Sequence, residues 1–142
     1  MPPLPPDPGQ TTPAQAHRLA RAGTAVLLDV RERGEFTAGH APGALHLPLI
    51  ALAAREPLPP EAGGRLVLAI CHSGNRSARA AQLLAERGVE VLNVVGGMTA
   101  WERAGLPVTT PGGGSGGDGS GGSGGSGGDG SSRGAGDAGD AI

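Results

Sequence analysis

The chain contains one cysteine, one phenylalanine, one tryptophan, no tyrosine and no lysine. A single cysteine excludes an internal disulfide, a CxxC redox pair and a cysteine-rich zinc site. The four histidines show no ligand-like spacing, so no metal site is expected. Without lysine, eleven arginines stand against thirteen acids for a formal charge of −2. No basic stripe or aromatic platform accompanies those arginines, so a nucleic-acid partner is not expected. No apolar run approaches the roughly 20 residues that span a bilayer. The first residues lack a basic patch followed by an apolar stretch. The expectation is a soluble, cytoplasmic protein that needs no membrane. Nothing in the pattern calls for an obligate dimer, and a monomer is expected.

Composition divides the chain into three parts. Residues 1–10, "MPPLPPDPGQ", are Pro-rich and read as an extended, flexible lead. From Pro111 to Ile142, 16 of 32 residues are glycine, mixed with serine and aspartate. Such a segment buries nothing that offsets the entropy of ordering it. It reads as a disordered tail with an r.m.s. span of roughly 30 Å. Residues 11–110 remain, enough for one small domain without disulfides or metal.

Within that domain, short apolar runs alternate with helical patterns. "TTPAQAHRLARAG" predicts a helix capped by Thr12, with Pro13 in its first turn and Gly23 at its end. "TAVLLDV" (24–30), "RLVLAI" (65–70) and "VEVLNVV" (89–95) are continuous apolar runs, the pattern of strands buried on both faces. "RERGEFTAGH" allows a short helix with Phe36 turned inward, "APGALHLP" a turn and a brief strand, and "LIALAARE" a helix. "SARAAQLLAERG" (77–88) is the clearest helix, and "GGMTAWERAG" predicts a last short helix that buries Trp101. This alternation implies an α/β domain with a mainly parallel sheet.

The lone Cys71 falls directly after the second of those strands, on the turn "CHSGNR". Ligands in such sheets sit at the carboxyl ends of strands. An isolated cysteine at a strand end is more often a small buried hydrophobe. Here the turn also carries Gly74, which lets the backbone approach a ligand, and leads into a helix expected to begin near Ser77. Inward-pointing N–H groups and the helix start form an anion cradle. Arg76 adds a full charge, and Arg79 lies further along the helix. Each of these favours the thiolate over the thiol, and a thiolate is a nucleophile near neutral pH.

Three stretches carry a wider resemblance: "LLDVRERGEFTAGHAPGALHLPL", "CHSGNRSARAAQLL" and "LNVVGGMTAWERAGLPV". In this order, across most of residues 12–109, they resemble a single-domain rhodanese, a sulfurtransferase. The resemblance implies a small five-stranded parallel sheet flanked by helices, with residues 71–76 as the active-site loop. It implies that Cys71 takes a sulfane sulfur from thiosulfate or a persulfide donor and passes it to a thiol or cyanide acceptor. No metal or organic cofactor is implied. His72, Ser73, Gly74, Asn75 and Arg76 are the candidate substrate-binding loop, with Arg76 attracting or orienting an anionic donor. Ser77, Asp29 and Arg31 are candidate supporting residues. For Asp29 and Arg31, the alternatives are bracing of the loop or an ion pair at a strand end, and the ion pair is favoured. His40 and His46 read as structural, and His72 as a surface residue tuning substrate preference. Related Cys-dependent phosphatases resemble a C-x5-R spacing, whereas Cys71 to Arg76 is C-x4-R. The other readings are a phosphatase or arsenate reductase, and a non-catalytic binding module of the same fold. The family pattern says nothing of the Gly-rich tail.

Overall fold

Five parallel strands form one sheet in the order β1-β5-β4-β2-β3, in a computed structural model that describes residues 9–111. The strands are β1 (Gly9–Thr11), β2 (Ala25–Asp29), β3 (Leu45–His46), β4 (Leu66–Ile70) and β5 (Val91–Val94). The helices are α1 (Pro13–Arg21), α2 (Arg33–Ala38), α3 (Leu49–Ala53), α4 (Asn75–Glu86) and α5 (Gly97–Arg103). A single 3-10 turn covers Pro60–Ala62. Apart from Pro111, the Gly-rich tail lies outside the described residues, as do residues 1–8 of the Pro-rich lead.

The continuous apolar runs of β2 and β4 reflect burial on both sides. Along β2 and the residue that follows it, Val26, Leu28 and Val30 join one core, and Ala25 and Leu27 join the other. Along β4, Val67 and Ala69 alternate in the same way with Leu68 and Ile70. This is the two-residue period of a strand. The first core includes Leu52 of α3 and Ala80, Ala81 and Leu84 of α4. The second includes Ala16 of α1, Phe36 of α2, and Met98 and Trp101 of α5. Continuing that period past β4 puts Cys71 in the first core, on the side of the sheet where α4 begins.

Local signals set the element ends as expected at α1. Thr12 accepts the Gln15 N–H at 3.1 Å, which satisfies one of the free donors at the helix start. Helix α3 stops at Ala53, short of the end of "LIALAARE", and β5 is trimmed to Val91–Val94. Two other boundaries differ from the sequence reading in ways that bear on the site and the sheet. The edge strand β1 takes in Gly9 and Gln10, which composition assigns to the flexible lead; Gly9 is the first residue after Pro8 with an N–H, and a strand cannot pair through proline. Helix α4 starts at Asn75, two residues before the expected start. Its cap is Gly74, whose φ of 106° turns the chain so sharply that Asn75 and Arg76 already lie in the first turn.

Candidate active site

Strand β4 is central, with β5 on one side and β2 on the other, and it delivers Cys71 at its carboxyl end. The residue is 1% exposed. Two donors reach its sulfur. The Gly74 N–H lies 3.0 Å from Sγ and the Ser77 hydroxyl 3.3 Å. Burial pushes the Cys71 thiol up, but the Ser77 hydroxyl and the backbone N–H groups of Ser77, Gly74 and Ser73 pull it down further. The balance leaves the thiol below its ordinary range, so the thiolate forms more readily here than at an ordinary cysteine.

The loop is held from behind by α5. The Met98 N–H donates to the Cys71 carbonyl at 2.7 Å, and the Thr99 N–H donates to the His72 carbonyl at 3.0 Å. This contact requires Gly97. A Cβ there would lie 2.3 Å from the Cys71 carbonyl oxygen and 2.7 Å from the His72 carbonyl carbon. The expected turn at Gly96 and Gly97 therefore positions the Cys71 loop as well as starting a helix. Gly74 meets the same turn, since a Cβ on it would lie 3.2 Å from the Gly96 nitrogen.

Ser77 is fully buried, and its hydroxyl also reaches Asn93 Oδ1 on β5 at 2.6 Å. A hydroxyl carries one proton, so sulfur and amide oxygen compete for it. If the amide is turned over, its NH2 donates to Ser77 Oγ and the proton is free for a charged sulfur. Asn93 did not emerge from the sequence, although a lone polar residue within "VLNVV" was the available signal.

Arg76 is placed by another residue that the sequence did not single out. Its guanidinium forks onto Glu35 of α2, with Nη1 to Oε1 at 2.6 Å and Nη2 to Oε2 at 2.8 Å. Both side chains are 36% exposed. The Arg76 bonds hold the Glu35 carboxyl down to about 2, against an opposing desolvation effect. Arg76 is itself raised, first by Glu35 and in smaller part by the nearby charge of Cys71.

The remaining candidates separate clearly. His72 and Ser73 are exposed on the loop, with His72 Nε2 only 3.5 Å from Thr99 Oγ1. Asn75 is exposed in the first turn of α4. Asp29 and Arg31 form a buried pair: Nε lies 2.9 Å from Oδ1 and Nη2 2.8 Å from Oδ2. Arg31 also donates to the Gly39 carbonyl at 2.6 Å. These bonds tie the end of β2 to the end of α2 and leave the Cys71 loop to other residues. His40 Nδ1 meets the Phe36 carbonyl at 2.8 Å and His46 Nε2 the Arg31 carbonyl at 2.8 Å. The two rings stack on either side of Phe36, at centroid distances of 3.9 and 4.5 Å. Among the described residues, no group of three or more His, Cys, Asp or Glu is placed to hold a metal ion. Among them too, no helix is long and apolar enough to cross a membrane.

A model of the Rhodanese-like domain family matches residues 12–104. An uncharacterised protein of Synechocystis is 38% identical over 96 residues, which cover 67% of this chain and 52% of that protein. The chain thus spans about half the length of that relative. A sulfurtransferase of Allochromatium vinosum is 38% identical over 99 residues, covering 69% of this chain and 91% of the relative. Among solved structures, a rhodanese-related protein of Thermoplasma volcanium superimposes with a TM-score of 0.62 at 29% identity. That match covers 70% of this chain and 96% of the other.

Proposed function

The chain belongs to the rhodanese-like domain family, and from that premise we propose that it is a sulfurtransferase carrying a sulfane sulfur on Cys71. The observation that carries this reading is the Cys71 sulfur, held at the end of the central strand by the Gly74 N–H and the Ser77 hydroxyl.

The chemistry proceeds in two steps. The Cys71 thiolate attacks the outer sulfur of a donor, such as thiosulfate or a persulfide. A sulfur–sulfur bond forms at Cys71, the donor's own sulfur–sulfur bond breaks, and sulfite or a thiolate leaves with the electron pair. Cys71 now bears a persulfide whose negative charge meets the same donors that stabilised the thiolate, a preorganised cradle of the oxyanion-hole kind. A thiol or cyanide then attacks the terminal sulfur and restores the Cys71 thiolate. With no second cysteine in the chain, release requires an external acceptor, and ping-pong kinetics are expected. Ser73, Gly74 and Ser77 supply the cradle. His72 and Asn75 line the approach, and Arg76 sets the charge beside it. A reducing compartment, the cytoplasm, keeps both the lone thiol and its acceptor thiols competent.

The test is intact mass after incubation with thiosulfate and, separately, with an alkyl persulfide. A gain of one sulfur atom on wild type, reversed by cyanide and absent in Cys71→Ser, is the expected result. No adduct from either donor on a folded domain would refute the proposal.

A further inference from the structure

The Arg76–Glu35 fork bears on which donor a sulfurtransferase built on Cys71 prefers, and its meaning rests on that proposed activity. Arg76 is the loop's full positive charge; it lies in the first turn of α4, next to Ser77, whose hydroxyl is 3.3 Å from the Cys71 sulfur. Both of its terminal nitrogens are committed to one carboxylate. That carboxylate is itself held in place. Glu35 Oε1 also accepts the Glu32 N–H at 3.0 Å across the first turn of α2. The carboxyl titrates at about 2, so it stays ionised at neutral pH. The loop and α2 therefore present a neutral pair beside the nucleophile where Arg76 alone would present a cation.

The two donor classes differ in charge. Thiosulfate is a dianion and expels a dianion. Its approach to a thiolate is speeded by a positive charge that is not already neutralised. An alkyl persulfide carries at most one charge on its sulfur and expels a thiolate. In that reaction Cys71–S⁻ and R–S–SH give Cys71–S–SH and RS⁻, with no other reactant needed.

We propose that Glu35 is a specificity-determining residue that neutralises Arg76 and so turns the site from small dianionic donors toward low-molecular-weight alkyl persulfides. Glu35 is not part of the bond-making machinery. It acts through Arg76.

The experiment compares kcat/KM for thiosulfate and for cysteine persulfide, with cyanide as acceptor, in wild type, Glu35→Gln and Glu35→Ala. Removing the carboxylate charge raises kcat/KM for thiosulfate about tenfold at low ionic strength. The gain collapses near 1 M salt, where the screening length is only about 3 Å. The value for cysteine persulfide stays within about twofold. Glu35→Ala, which also loses the bond to the Glu32 N–H, moves the donor ratio the same way even if it melts lower. An unchanged donor ratio in both variants overturns the inference, as does an equal change for both donors. The sulfurtransferase reading fails separately, if wild type gains no sulfur from either donor.

Discussion

Gly97→Ala is the substitution whose consequence the structure defines most closely. Two costs apply. The residue has a φ of 56°, a left-handed conformation that costs an L-residue roughly 1–2 kcal/mol. The new Cβ would also sit 2.3 Å from the Cys71 carbonyl oxygen and 2.7 Å from the His72 carbonyl oxygen. Both are backbone atoms, so the neighbour cannot swing aside. Helix α5 and the loop must separate by about 1 Å, which takes the Met98 and Thr99 bonds beyond hydrogen-bond range. Each lost bond costs about 1 kcal/mol, more if a buried carbonyl goes unpaired. The total is about 3–5 kcal/mol, a drop in melting temperature of about 15 °C or more for a domain of this size. Gly88→Ala provides the comparison. Gly88 has a similar φ of 83° but nothing within 4 Å of its Cβ position. It should lose only the conformational part, about 1 kcal/mol. Thermal melts of both variants test the stability argument. The pH dependence of Cys71 alkylation tests the site, because a displaced loop should carry the Gly74 N–H away from the sulfur. If Gly97→Ala melts within a few degrees of Gly88→Ala and alkylates like wild type, the clamp argument is wrong.

Three further outcomes are expected. Ser77→Ala removes a donor to the sulfur while burial persists, so the Cys71 midpoint should rise. A bond to a charged group contributes about 1.5 kcal/mol, so alkylation by iodoacetamide below that midpoint should slow about tenfold. Glu35 has a folded-state pKa of about 2 against an ordinary 4.5, so its stabilisation is complete above about pH 4.5 and fades as pH falls toward 2. Glu35→Gln should therefore melt slightly lower at neutral pH, by about 0.5 kcal/mol for so exposed a pair, with the gap closing on acidification. Asp29→Asn leaves the 6% exposed Arg31 without its charge partner; denaturant titration should show a loss of about 3 kcal/mol, with the Cys71 alkylation midpoint unmoved.

Much of this molecule could be read from local pattern. The β2 and β4 runs, the α1 cap at Thr12 and the placement of Cys71 after a buried strand are all set by residues within a few positions of one another. What escaped the sequence depends on distant partners. Glu35 lies 41 positions from Arg76, and nothing in "RGEF" indicates where its carboxylate will go. Asn93 meets Ser77 only after β5 has docked beside β4, 16 positions further along the chain. A cation beside an anion cradle reads, in isolation, as a charge for an anionic donor; the carboxylate partner of Arg76 is visible only in three dimensions. The sequence places the start of α4 late for a different reason. A glycine can end a turn or cap a helix, and only the left-handed φ of Gly74 determines which.

The position of β1 has a kinetic consequence. The first strand of the sheet pairs with the last, Gly9 opposite Leu92, a separation of 92 − 9 = 83 residues. Contacts that span most of a domain raise its contact order and slow its folding. On a ribosome, β1 emerges first and must wait, unpaired, until nearly the whole domain has been synthesised. β2 and β4 can pair well before then, so the edge strand is expected to be the last piece of the sheet added. Because Thr11 of that strand accepts the Val95 N–H at 2.9 Å, the same late event fixes the chain just ahead of the Gly96–Gly97 turn. The clamp behind Cys71 is thus expected to be among the last parts of the molecule to take shape during folding.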